Sequence, residues 1–403
     1  MKRILIAVCA LTAAAACTSQ RSLLDSETPL AVRMVESEIA RNPSPATLDG
    51  IPAGKVKWNY TTGLELLAMI DAGEAYDRPE FYEYALRYYD TIVRPDASVL
   101  TYRKEKHNID HICPGRPLFA ICERTGDERY RRVLDTLYAQ LLSQPRNDDG
   151  GFWHKQVYPG QMWLDGLYMG EPFYAEYAVR NLQGEEFDRA ADDIVNQFVL
   201  AAGHTFDPAT GLYRHACDVT RRMFWCDSVT GQSAHAWGRA MGWYAMGIVE
   251  TLQYLGANER TQPMVDILNH IYEVLPRYAD PATGMWYQVL DQPGREGNYL
   301  EATGSVMFVY AMLKGVRLGY LPAELGPEAQ RLYERFVERF VRENPDGTLS
   351  ITDCCAVAGL GGKTRRSGTF DYYISEPVIE NDCKGVGPFI WASMEYDRAR
   401  GVL

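Results

Sequence analysis

"DPATGLYRHACD" (residues 207–218) and "DPATGMWYQVLD" (280–291) open on the same five residues and then run on alike. Two further stretches, "DDGGFWHKQV" (148–157) and "PDGTLSITDC" (345–354), share their form. Each is an acidic or proline turn, then glycine, then a short extended run; in the first three in chain order an aromatic precedes a polar residue. Their glycines, Gly151, Gly211, Gly284 and Gly347, are spaced by 60, 73 and 63 residues. A period of that size holds one helical hairpin and a loop. Around these loops, apolar residues recur at helical spacing in about twelve segments between residues 29 and 399. Twelve helices make six hairpins. Wrapped in a circle, they would bury their inner faces together, so the pattern predicts an all-α, closed (α/α)6 barrel. An open helical solenoid would use a shorter and stricter period. No long linker or low-complexity stretch divides the segments, which predicts one domain over 29–403. The polar and aromatic loop residues would gather at one mouth.

The first twenty residues, "MKRILIAVCALTAAAACTSQ", read differently. Lys2 and Arg3 form a charged start, and Ile4 to Ala16 an apolar run too short to span a membrane comfortably. Residues 1–16 are therefore expected to be a signal peptide, with Cys17 as a lipidated first residue and 17–28 as a short tether. That predicts export, to the periplasm or outer membrane, with the membrane reached only through a lipid anchor. Of the 41 basic side chains, two lie in the leader, leaving 39 against 53 acids. So acidic a chain is not expected to bind nucleic acid. Seven cysteines follow Cys17 without zinc-ligand spacing, and most are expected to be small buried apolar residues.

Four polar clusters stand out. Asp165 is the only acid between Gly151 and Gly170, beside Trp163, Leu164, Leu167 and Tyr168, with His154 and Lys155 upstream. "HNIDHICPGRP" (107–117) carries Asp110 and Arg116. "HAWGRAMGWYAM" (235–246) carries Trp237, Arg239 and Trp243, and "ISEPVIENDCKGVGPF" (374–389) carries Asp382 and Lys384. His215 comes from the second repeat loop. Singly, each has an ordinary reading: helix caps for the aspartates, core for the tryptophans, a carboxylate partner for Arg239, a satisfied polar residue for His215. Together they suit sugar chemistry. Aromatics offer flat faces to pyranose rings, and two carboxylates supply acid and base. Lys155, Arg239 and Lys384 would bind a substrate that carries its own carboxylate. The apolar neighbours of Asp165 and an ionised Asp110 would both favour its protonated form.

The segments "WHK…YPGQMWLDGLYMGEPF", "NIDHICPGRPL", "WGRAMGW", "YLEATGSVMFVYAMLKGVRLGY" and "YYISEPVIENDCKGVGPF" resemble glycoside hydrolase family 105. Its members are unsaturated rhamnogalacturonyl hydrolases, related to the unsaturated glucuronyl hydrolases of family 88. The resemblance runs from about residue 30 to 399 and implies the same (α/α)6 barrel. It implies that Asp165 is the catalytic acid/base and Asp110 the second carboxylate. It implies that Lys155, His215, Trp237, Arg239 and Trp243 bind the unsaturated uronate; His154 and Trp163 join them by proximity, and Lys384 by charge. Ala240, Met241 and Cys383 depart from the family's usual residues without removing any of these groups. The implied substrate is an oligosaccharide with a 4,5-unsaturated galacturonate at its non-reducing end, and the resemblance implies no metal or organic cofactor. Other readings are an unsaturated glucuronyl hydrolase acting on glycosaminoglycan, ulvan or arabinogalactan fragments, and a non-catalytic glycan-binding lipoprotein. A third is an epimerase or ordinary glycosidase on the same toroid.

Overall fold

A computed structural model describes residues 23–403; the expected signal and Cys17 lie outside the described residues. Twelve helices alternate between an outer and an inner ring. The outer ring is α1 (Leu30–Arg41), α3 (Pro79–Ile92), α5 (Glu128–Leu142), α7 (Gly184–Thr205), α9 (Gln262–Val274) and α11 (Gly326–Phe340). The inner ring is α2 (Tyr60–Ala75), α4 (Pro117–Thr125), α6 (Leu164–Asn181), α8 (Gly238–Leu255), α10 (Ala302–Arg317) and α13 (Cys383–Ala399). Two 3-10 turns, Ile109–His111 and Cys113–Gly115, extend α4 at its start. Each inner helix packs on the next, α6 meeting the two turns that precede α4, and α13 closes the ring on both α1 and α2. The molecule is an (α/α)6 barrel, as the loop period predicts.

Which ring a helix joins follows from its pattern. In α8 every residue from Gly238 to Leu252 is buried, and a helix apolar on nearly all sides belongs inside. In α11 the buried residues are Ala329, Leu332, Tyr333, Phe336, Val337 and Phe340, one stripe at i, i+3 and i+4. Its glutamates and arginines face outward.

The inner helices approach closely where glycine allows it. A Cβ on Gly304 of α10 would lie 2.9 Å from the Gly238 carbonyl carbon and 3.0 Å from the Arg239 nitrogen. Those contacts are backbone and cannot step aside. Helix propensity alone would make Gly304→Ala stabilising by about 1 kcal/mol. The clash reverses the sign: Gly304→Ala should lose about 1–3 kcal/mol, read as a lower midpoint in thermal or urea unfolding.

The two ends of the barrel differ. Connections from inner to outer helices are short, such as Gly126–Asp127 and Leu182–Gln183. Those from outer to inner helices are long and include all four glycine loops. They carry three small antiparallel pairs: β1 (Gln161–Trp163) with β2 (Ala216–Asp218), β3 (Val341–Glu343) with β4 (Leu349–Ile351), and β5 (Cys354–Cys355) with β6 (Val378–Ile379). A short helix, α12 (Phe370–Ser375), lies in the last of these connections. Every inner helix therefore starts at the long-loop mouth.

Part of the expected tether is not a tether. Leu23–Asp25 form a 3-10 turn, and Leu23 and Leu24 pack against the core beside α11. The seven described cysteines are all free thiols. Among the described residues, no helix is long and apolar enough to cross a membrane. Nor do any three His, Cys, Asp or Glu side chains there group to hold a metal ion.

Candidate active site

Asp165 is the second residue of α6. The β1–β2 pairing decides what faces it. Trp163 pairs with Ala216, and the Leu164 N–H donates to the His215 carbonyl at 3.1 Å, so the His215 ring stands over the first turn of α6. His215 Nε2 lies 3.2 Å from Asp165 Oδ2. The two are not aligned as a hydrogen bond, and both atoms are buried without a hydrogen-bond partner. The other ring nitrogen, Nδ1, lies 2.7 Å from the Tyr373 hydroxyl. Burial pushes the Tyr373 phenol well above its usual range, so it stays protonated.

The apolar sequence neighbours of Asp165 do not form its surroundings. Leu164, Leu167 and Tyr168 turn into the core: positions one or two apart on a helix do not face each other, and Tyr168, one turn on, meets Arg116 and Trp243. The carboxylate faces His215 instead, within electrostatic reach of Lys155, Tyr60 and Tyr373. It is not a helix cap, since α6 begins at Trp163 with no side-chain cap.

Asp110 is the opposite case. The Asn108–Lys155 bridge and the Ile109 N–H to His154 carbonyl bond bring two loops together. His154 Nε2 is then 3.1 Å from Asp110 Oδ1, and Lys155 Nζ 2.5 Å from Oδ2. Burial works against the carboxylate charge, but Lys155 and His154 outweigh it and hold Asp110 well below the usual range. Burial likewise opposes the Lys155 charge, and Asp110 more than offsets that. One carboxylate is locked as an ion; the other keeps an oxygen unbonded.

Several of the expected binding groups are covered or paired. Trp163, Trp237 and Trp243 are 6%, 1% and 1% exposed, so none offers an open sugar platform. His154 and Tyr158 both stack on Trp163, 4.9 and 5.6 Å away and nearly parallel. Arg239 and Tyr373 cover Trp237, and Trp243 is floor beneath Tyr60 and against Tyr168. Lys384 is buried and paired with Asp382, the N-cap of α13, at 2.8 Å. Lys155 is spent on Asp110. Of the three expected cations, Arg239, itself 1% exposed, alone has no carboxylate partner among the described residues: it donates to the Cys355 and Ala356 carbonyls and leaves Nε buried and unbonded. Arg116 is not in the site either. It lies deeper in the barrel, on Glu250 and Tyr168.

Sequence reasoning missed Tyr60, Tyr158, Tyr373 and Gln288. Gln288, from the third repeat loop, accepts from the Trp237 indole and donates to the Tyr373 carbonyl. Tyr60 opens α2, half-buried, and the charges of Arg239, Asp110, Asp382 and Asp165 all act on its hydroxyl. These four groups come from four inner elements, so Tyr60 lies within reach of all of them. The signal was available: Asp110, Asp165, Arg239 and Asp382 each stand at the start of an inner segment, and so does Tyr60. With every inner helix starting here, partial positive charge converges on the mouth, which favours an anionic ligand.

Against known proteins, the model of Glycosyl Hydrolase Family 88 matches residues 30–400. The chain belongs to that family. A solved family 105 glycoside hydrolase from C. acetobutylicum is 40% identical. The match covers 92% of this chain and all of that one, with a TM-score of 0.86. Protein Atu3128 of Agrobacterium fabrum is 36% identical over 56% of this chain and 97% of its own length. The unsaturated rhamnogalacturonyl hydrolase YesR of Bacillus subtilis is 25% identical over 65% of this chain and 72% of its own. The resemblance to family 105 therefore extends to the fold, and the family 88 member is a glycoside hydrolase.

Proposed function

We propose that this family 88 hydrolase removes a 4,5-unsaturated galacturonate from the non-reducing end of rhamnogalacturonan fragments left by lyases. The observation that carries the reading is the contrast between the two carboxylates. Asp110 is held ionised by Lys155, while Asp165 keeps a buried, unbonded oxygen beside His215. The similarity to a rhamnogalacturonyl hydrolase supports the choice of uronate.

The C4–C5 double bond of the substrate is an enol ether. Asp165 donates its proton to C4, and positive charge develops at C5, shared with the ring oxygen. The ionised Asp110 stabilises that charge. Water adds at C5, its proton passing to the Asp165 carboxylate, and the resulting hemiketal opens and releases the rest of the chain. Arg239, lacking an acidic partner, takes the uronate's carboxylate with help from the helix starts. The half-buried rings of Tyr60 and Tyr158 serve as sugar faces in place of the covered tryptophans.

Incubation with an unsaturated rhamnogalacturonan disaccharide tests this directly. The double-bond ultraviolet absorbance should fall as free sugar appears. Unchanged absorbance would rule the reaction out, and faster loss on unsaturated glucuronyl disaccharides would move the substrate class. We also propose export and lipidation at Cys17. Mass spectrometry of the membrane fraction from an expressing bacterium should find the lipidated form, and Cys17→Ser should release the protein.

A further inference from the structure

Two mouth loops carry basic residues that the reaction above does not use. The hairpin Gly361–Arg366 is closed by backbone bonds in both directions, 2.8 and 3.0 Å, with Gly361 and Gly362 at positive φ. It presents Lys363 and Arg365 to solvent, while the half-buried Arg366 closes its base. The second loop, after β2, presents Arg221 and Arg222. The loops touch each other: the Arg365 guanidinium lies 4.5 Å from the Phe224 ring centre, and Trp225 and Leu360 share a small apolar cluster. That cluster includes Trp163, and the hairpin reaches Tyr158 at Gly362. The Tyr158 and Trp163 rings therefore link this basic rim to His215, beside Asp165.

None of the five cations forms an ion pair among the described residues. Elsewhere, surface arginines commonly do, as Arg78, Arg129 and Arg260 show. Asp227 is near Arg221 but accepts from the Val229 and Thr230 amides. Trp225 is 4% exposed, with its indole N–H unbonded, and the Arg366 Nε is buried and unbonded. In a chain with a formal charge of −12, five unpaired cations on two touching loops are a local reversal of sign.

We infer that this rim binds a carboxylate on the leaving oligosaccharide, a uronate beyond the sugar attached to the one removed. This rests on the proposed reaction. The site then selects acidic chains longer than a disaccharide, because only those reach from Asp165 to the hairpin.

The test compares three unsaturated substrates: the disaccharide, a tetrasaccharide with a second uronate, and that tetrasaccharide with the second carboxyl reduced to an alcohol. The wild type should prefer the acidic tetrasaccharide over the reduced one by about tenfold in kcat/KM, with the preference fading as salt rises. Lys363→Gln/Arg365→Gln and Arg221→Gln/Arg222→Gln alter exposed side chains and should each shrink the preference while disaccharide turnover stays unchanged. Disaccharide turnover without any carboxyl preference, or a preference that survives in both variants, overturns the subsite and leaves the reaction standing. No loss of the double bond on any substrate overturns both.

Discussion

Asp165→Asn should lower kcat by about 10² to 10⁴, the usual worth of a positioned proton donor, and leave the fold intact. The substitution keeps size and shape and removes only the group that can give a proton to carbon and accept it back. Stability has little to lose. Asp165 caps no helix, and an acid in the first turn is worth about 0.3–1 kcal/mol at most. Its oxygen at His215 makes no aligned hydrogen bond. Asp110→Asn is the informative companion. It frees Lys155 and His154 from their carboxylate, so binding and turnover should both suffer, and the buried lysine should cost some stability. Measuring kcat, KM and the unfolding midpoint for each separates the roles. If Asp165→Asn kept a tenth or more of the activity, the proton donor would have to be sought elsewhere.

The barrel was legible because its evidence is periodic. Four glycine loops and twelve apolar segments count six hairpins without a single contact being known. The backbone positions of the site were legible for the same reason, since Asp110, Asp165, Arg239 and Asp382 all sit where a loop becomes an inner helix. What each side chain meets was not. Trp163 beside Asp165 in sequence suggests a platform, yet His154 and Tyr158 lie on it. Lys155 reads as a free cation, and only the Asn108–Lys155 bridge shows that Asp110 claims it. Arg116 stands six residues from Asp110 and looks like its neighbour, but two 3-10 turns carry it down the barrel to Glu250. Tyr373 arrives on α12 from a different connection altogether. Such pairings join residues far apart in the chain, and no local pattern encodes them.

Glu250→Gln should be the most destabilising of these changes, by about 3–5 kcal/mol. Glu250 lies in α8, on the barrel axis below the site. Its carboxylate accepts from Arg116 at 2.6 Å, Lys314 at 2.5 Å, Gln253 at 3.1 Å and the Tyr310 hydroxyl. Burial opposes its charge, but Lys314 and Arg116 overcome that and hold it down at about 2, against an ordinary value of 4.5. A carboxyl bound less tightly to its proton in the native state stabilises that state once ionised. The difference is worth about 3 kcal/mol at neutral pH. It is complete above about pH 4.5 and lost as the pH falls toward 2. Glutamine removes the charge and strands Arg116 and Lys314, 2% and 6% exposed, without their anion. The effect reaches upward, because Arg116 also donates to Tyr168, which packs on Trp243 under Tyr60. Urea unfolding should show a lower midpoint for Glu250→Gln at pH 7, and a gap to wild type that narrows below pH 4. Replacing Glu250, Arg116 and Lys314 together with methionine should recover most of the loss, since no ion is then left alone. A Glu250→Gln midpoint equal to wild type at pH 7 would mean that the network is solvated rather than buried, and that the barrel axis does not depend on it.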